Sequence, residues 1–198
     1  MRMIESTKIA NLLERLGNLM RANERSLGLE HGLQPVHVQV LNYLSLCNQY
    51  SNTPVSVTGF LGVTKGTVSQ SINVLEHKGL ITKSPDAEDG RVVHLNVTEA
   101  GSRFIESEFH QQDMLTILDE MPYGDRQNLA ELLTDLLIGL QHRNGGRMFA
   151  ECRTCRHFRK DAFGDAHQCG LTLEPLSDEG STKICREHEL SVDNAQHI

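Results

Sequence analysis

With 198 residues, 38% of them apolar and none of them tryptophan, the chain has room for one ordinary domain plus a small appendage, its core resting on Leu, Ile and Val. A formal net charge of −7 excludes an indiscriminate phosphate binder but permits a sequence-specific one, which needs positive potential only on its docking face. No apolar run is long enough to cross a bilayer, and no secretory leader precedes Met1-Arg2-Met3-Ile4. A cytoplasmic protein with reduced thiols and no membrane partner is therefore expected.

Ser6 can cap a first helix, whose apolar stripe Ile9, Leu12, Leu13, Leu16, Leu19 and Met20 predicts helix to about Arg25, loosening over residues 27–32. Pro35 suits a first helical turn, and Val36, Val40, Leu41, Leu44 and Leu46 continue a second helix. Ser51-Asn52-Thr53-Pro54 reads as a turn, residues 55–61 as a short helix, and Gly62-Val63 as its end. Thr64 caps the next helix, which turns Val68, Ile72 and Leu75 inward and Lys65, Gly66, Thr67, Gln70 and Asn73 outward, and stops at Gly79. Leu80-Ile81-Thr82-Lys83 and Val92-Val93-His94-Leu95-Asn96-Val97 predict two short strands around a charged turn. Thr98 caps a helix carrying Phe104, Ile105 and Phe109, and later Met114, Leu115 and Leu118, until residues 122–125 break it. Leu129, Leu132, Leu133, Leu136, Leu137 and Leu140 form a last apolar stripe before a boundary at Gly145-Gly146.

A short helix, a tight turn and a helix with a polar outer face make a helix-turn-helix, in which a rigid helix enters the major groove and short polar side chains reach base edges. Gln70 and Asn73 have the chemistry to pair with adenine. The following ribbon would be a wing, with Arg91 placed to enter the narrow minor groove. The run from Val63-Thr64-Lys65-Gly66-Thr67-Val68-Ser69-Gln70-Ser71-Ile72 to Leu75-Glu76-His77-Lys78-Gly79-Leu80-Ile81 resembles the recognition helix of the MarR family. Pro85-Asp86-Ala87-Glu88-Asp89-Gly90-Arg91, followed by Val97-Thr98-Glu99-Ala100-Gly101, resembles that family's wing pattern, with Val97 in place of Leu. The resemblance spans roughly residues 6–144 and implies a homodimer built from the first helix and the last two, reading a pseudo-palindromic operator in double-stranded DNA. On it, the DNA-binding residues are Thr64, Lys65, Gly66, Thr67, Gln70, Asn73, Asp89 and Arg91. Asp86, Glu88 and Asp89 outnumber Arg91 and Lys83 in the wing, so a shallow salt dependence is expected.

Of five cysteines, Cys47 lies on the apolar second helix and reads as a buried small residue. The others follow the Gly-Gly boundary as C-x2-C-x13-C-x15-C: Cys152, Cys155, Cys169 and Cys185. A reduced compartment argues against disulfides, and so short a segment with few large apolar groups needs a metal to fold. These four are the expected ligands. A single C-x2-C knuckle plus two widely spaced cysteines resembles small iron–sulfur modules in spacing, so an iron–sulfur cluster (4Fe–4S or 2Fe–2S) is favoured over structural zinc. His157, His167 and His188 read as surface residues or as neighbours of the ligands.

The expected architecture is mainly α with a small two- or three-stranded sheet: a winged helix-turn-helix dimer over residues 1–144 and a four-cysteine module over 145–198. The expected function is a non-enzymatic transcriptional regulator, a repressor, whose DNA affinity is tuned by the cluster through the last long helix. The alternative is a regulator sensing a small aromatic effector, with the module a zinc clip. A redox enzyme is disfavoured, because no nucleophile–base pair, phosphate-binding loop or flavin motif is visible.

Overall fold

The computed structural model describes residues 2–87, 89–108, 112–143, 148–164 and 166–190. The expected boundary at Gly145-Gly146, and the residues Glu88 and Phe109, lie outside them.

Helices α1 (Arg2–Glu30), α2 (Pro35–Leu46), α3 (Pro54–Leu61) and α4 (Lys65–His77) precede a hairpin, β1 (Ile81–Pro85) and β2 (Val93–Val97). Helices α5 (Glu99–Glu108), α6 (Gln112–Glu120) and α7 (Tyr123–Arg143) follow. α1 runs past Arg25 and ends within the stretch 27–32, as expected. A lone Gly28 costs a helix only about 1 kcal/mol relative to Ala. The break comes at Gly32, whose φ of 61° is left-handed.

Local chemistry sets the helix-turn-helix. Pro54 occupies the first turn of α3, and the Thr53 side chain accepts from the Ser56 N–H. Gly62, at φ 65°, ends α3 in the left-handed conformation that a tight turn demands. Thr64 Oγ1 then accepts from the Thr67 N–H at 3.1 Å and starts α4. Val68, Ile72 and Leu75 are at most 3% exposed and join Val38, Leu41, Tyr43 and Val57 in the core. Replacing Thr64 by Ala leaves that N–H without its cap, so urea unfolding should register a loss of about 1 kcal/mol with the fold intact.

β1 and β2 pair antiparallel from Ile81↔Val97 to Pro85↔Val93, and Ile81 and Leu95 fasten the ribbon to the core. The Val-Thr-x-x-Gly pattern has a physical cause. Thr98 Oγ1 donates to the Gly79 carbonyl at 2.7 Å and accepts from the Gly101 N–H at 3.1 Å. A Cβ on Gly101 would collide with the Leu80 carbonyl oxygen, so only glycine lets α5 approach the ribbon so closely.

The cysteine-containing segment corrects the expected fold class, for it holds two more small sheets. β3 (Met148–Glu151) pairs antiparallel with β7 (Ile184–His188), and β4 (Phe158–Phe163), β5 (Ala166–Cys169) and β6 (Pro175–Leu176) form a three-stranded sheet, with α8 (Asp178–Ser181) between β6 and β7. These strands have two to six residues and little apolar alternation, so no periodic signal marks them.

The module is packed on the helical lobe. Phe149, 6% exposed, sits edge-on to Tyr43 at 6.2 Å and to Phe60 at 5.4 Å between ring centroids. The Asn48 N–H donates to Ile184 O at 2.9 Å, the Arg186 N–H to Ser51 Oγ at 2.8 Å, and Lys183 Nζ to Ser45 O at 3.2 Å. Among the described residues, no helix is long and apolar enough to cross a membrane.

Candidate functional site

α4 turns Thr64, Lys65, Gly66, Gln70 and Asn73 to solvent, as expected, and Ser69 with them. Two of the expected reading residues have other attachments. Thr67 is half-buried, its Oγ1 lying 2.9 Å from Thr64 Oγ1, so its hydroxyl serves the helix cap. Asn73 Oδ1 accepts from Lys83 Nζ at 3.0 Å, and the same ammonium pairs with Glu76 at 2.7 Å. Gln70 therefore stands at the centre of the outward face.

In the wing, Arg91 Nε and Nη2 donate to the two Asp89 carboxylate oxygens at 2.9 and 2.8 Å. The guanidinium holds the Asp89 carboxyl below its usual range. The Arg91 side chain is 90% exposed, so Asp89 aims it outward without covering it. Asp86 Oδ1 accepts from the Asp89 N–H at 2.9 Å, while Asp86 Oδ2 lies 2.9 Å from His94 Nε2. His94 Nδ1 lies 2.6 Å from Asn52 Oδ1, which ties the wing to the loop before α3.

The four module cysteines converge. Cys152 opens a short 3-10 turn after β3, and Cys155 closes it, its N–H donating to Cys152 O. Cys169 ends β5 opposite Phe158, and Cys185 lies on β7 opposite Ala150. All four line one cavity of about 50 Å³, together with Asn48, Tyr50, His157 and Leu176. A single water needs only ~10–15 Å³ on this measure. Cys152 and Cys185 hydrogen-bond to each other, which holds the Cys185 thiol below the ordinary range and pushes Cys152 up. N–H groups are turned on two of the sulfurs: Asn48 Nδ2 donates to Cys152 Sγ at 3.3 Å, and the Glu189 N–H to Cys155 Sγ at 3.5 Å.

Among the described residues, no three His, Cys, Asp or Glu side chains stand close enough together to hold one metal ion. Tetrahedral zinc with Zn–S near 2.3 Å would bring its sulfurs to about 3.8 Å from one another. Four cysteines line a common void, with N–H donors on two of them, and are the residues that would hold a thiolate-bound group there.

Cys47 is 8% exposed, and burial pushes its thiol up to about 12, so it stays protonated and outside the cavity. The histidines depart from the surface reading. His167, at 7% exposed, has Nε2 2.8 Å from Asp178, and His188, at 4%, has Nε2 2.9 Å from Thr154 Oγ1. His157 lines the cavity. Of the nearby basic residues, Arg153 pairs with Glu151 and Arg156 with Glu189.

Asn48, Tyr50, Asn52 and His94 were missed by sequence reasoning. Polar residues in a turn carry no periodic signal, and their importance comes from partners more than forty positions away, such as Cys152 for Asn48 and His94 for Asn52.

Residues 31–92 match the model of the MarR family, a span that includes the helix-turn-helix and the tip of the wing. No curated protein matches the chain. Among solved structures, S. aureus MepR in its DNA-binding conformation is 22% identical, with a TM-score of 0.58, over 67% of this chain and 98% of that one. The S. aureus MepR–DNA complex is 21% identical, with a TM-score of 0.52, over 66% of this chain and 96% of that one. CouR from Rhodococcus jostii RHA1 bound to p-coumaroyl-CoA is 20% identical, with a TM-score of 0.53, over 66% of this chain and 92% of that one. Each neighbour is matched over nearly its whole length, so this chain carries an additional portion that they lack. Two-thirds of the chain thus has the winged helix-turn-helix fold of MarR-type proteins, and residues 31–92 carry that family's own sequence pattern.

Proposed function

We propose that the protein is a transcriptional regulator that binds operator DNA as a homodimer and whose affinity depends on a cysteine-ligated centre. The observation that carries the DNA reading is the outward face of α4: a capped helix, locked from behind by Val68, Ile72 and Leu75, with Gln70 exposed between Lys65 and the wing. The fold shared with the MepR–DNA complex supports it. The dimer reading rests on apolar side chains left in solvent, Leu12, Leu16 and Leu19 on α1 and Leu132, Leu136 and Leu140 on α7, all at least 40% exposed. Stripes of that extent belong to interfaces.

Cys152, Cys155, Cys169 and Cys185 are the residues that would hold the centre, an iron–sulfur cluster in preference to zinc. The bound cluster would supply a redox- or oxidant-sensitive charge next to the helix-turn-helix. The chain's own part is to surround it: Asn48 and the Glu189 N–H donate to sulfur, and Leu176 and Tyr50 wall the cavity.

A duplex selected by the protein from a random-sequence pool tests the DNA reading. Gln70→Ala should weaken binding to that duplex roughly 5- to 150-fold while leaving non-specific DNA almost unaffected. Equal losses on both DNAs would remove α4 from base reading.

A second reading gives the sensing role to a small aromatic effector and makes the module a zinc clip. The CouR complex with p-coumaroyl-CoA favours it. Stoichiometric zinc in colourless, anaerobically purified protein would select this reading, whereas iron with inorganic sulfide selects the first.

A further inference from the structure

The cavity that gathers the cysteines is not closed by the module alone. Asn48 and Tyr50, from the loop between α2 and α3, form part of its wall. Asn48 is 7% exposed and has no spare group: Nδ2 donates to Cys152 Sγ, Oδ1 accepts from the Tyr50 N–H at 3.2 Å, and its own N–H donates to Ile184 O. A shift of the Cys152 sulfur cannot be absorbed there without moving the loop.

The loop is short and stiff. Tyr43, itself fully buried, donates from its hydroxyl to Ser51 O at 2.8 Å, and Ser51 Oγ accepts from the Arg186 N–H of β7. At its far end Asn52 meets the wing three times: its carbonyl accepts from the Leu95 N–H at 2.7 Å, its Nδ2 donates to Asn96 Oδ1 at 3.2 Å, and its Oδ1 lies 2.6 Å from His94 Nδ1. From His94 the contacts run on through Asp86 to Asp89, and from Asp89 to Arg91 at the exposed tip. Apart from the covalent step from Ser51 to Asn52, every link is a polar contact of 2.6 to 3.3 Å, and the ends are a candidate ligand and the wing's exposed arginine.

We infer that the loop of residues 47–52 couples the cysteine centre to the wing, with Asn48 sensing the Cys152 sulfur and Asn52 positioning His94, and through it Asp86, Asp89 and Arg91. The inference rests on the reading of a centre-dependent regulator and names the route by which that dependence reaches DNA. The route differs from the one expected through α7: the loop touches cavity and wing directly, whereas α7 meets only β3 of the module among the stronger packing contacts. Asn52 and His94 are positioning residues. Spatial continuity proposes a route, and only a change in coupling establishes it.

The test compares two forms of each protein, anaerobically purified and chelator-stripped, binding the duplex selected by wild type. Wild type should show an affinity ratio between the forms of about tenfold or more. Asn52→Ala should retain wild-type iron and sulfide content, yet its ratio should collapse to within about twofold. A merely structural asparagine would weaken both forms alike and leave the ratio intact. His94→Gln provides the second, independent break, with the same collapse expected and a thermal melt to show that the fold persists. If both variants keep the wild-type ratio, the loop is not the route, although the centre-dependent reading stands. If wild type itself gives a ratio of one, that reading fails and takes the inference with it.

Discussion

On the proposed cysteine-ligated centre, serine at both Cys152 and Cys185 should leave the protein with only background iron and sulfide and unfold the module around them. The two thiols meet each other, one from the turn after β3 and one from β7, so their loss removes half the proposed ligand set from two separate chain segments. Serine presents a hard oxygen where a soft metal needs sulfur. The module has little else to hold it. Among the described residues, its buried apolar side chains are Phe149, Cys152 and Leu176, and the remaining buried positions are His167, Ser181 and His188. A structural thiolate centre can contribute about 10–16 kcal/mol to folding, far more than those few side chains. Metal and sulfide analysis should fall to background in the double variant, and protease should cut within residues 148–190. Cys47→Ser is the matched control: that thiol is buried and protonated, so metal content should stay at the wild-type level. Wild-type protein that carries no iron or zinc, and resists protease as well as the double variant does, would sink the cysteine-centre reading.

Phe149→Ala should cost about 3–5 kcal/mol of stability. The ring comes from the first strand of the module but lies in the core of the helical lobe, edge-on to Tyr43 and Phe60 and against Gly59. Truncation leaves a cavity between two rigid layers that cannot collapse onto it. For a chain of this size each kcal/mol lowers the melting temperature by roughly 2–4 °C, so calorimetry should show a fall of about 10 °C. Metal content should survive, since Phe149 does not line the cysteine cavity, while the affinity difference between metal-loaded and stripped protein should shrink as docking loosens. A melting temperature within a degree or two of wild type would mean that the module does not share the lobe's core.

The helix-turn-helix was legible from Gly62, Thr64, Val68, Ile72, Leu75 and Gly79, because caps and the 3.6-residue period are local and each leaves its own mark. The wing was legible for a related reason: Arg91 pairs with Asp89 two positions away and Thr98 accepts from the Gly101 N–H three positions away, so chemistry and spacing coincide in the chain. The cysteines announced themselves by type and spacing. They line one cavity, although among the described residues no three ligands stand close enough for one metal ion, and none of the module's strands could be foreseen.

Sequence alone determined which helix faces outward and where the hairpin turns, since those features depend on residues within a few positions of one another. Tertiary structure decided that the module docks through Phe149, that Asn48 closes the cysteine cavity and that Asn52 reaches the wing. Each of these contacts joins segments forty to more than a hundred residues apart. Such pairings arise when independently shaped surfaces bury their apolar area together, and that outcome leaves no periodic trace in the chain.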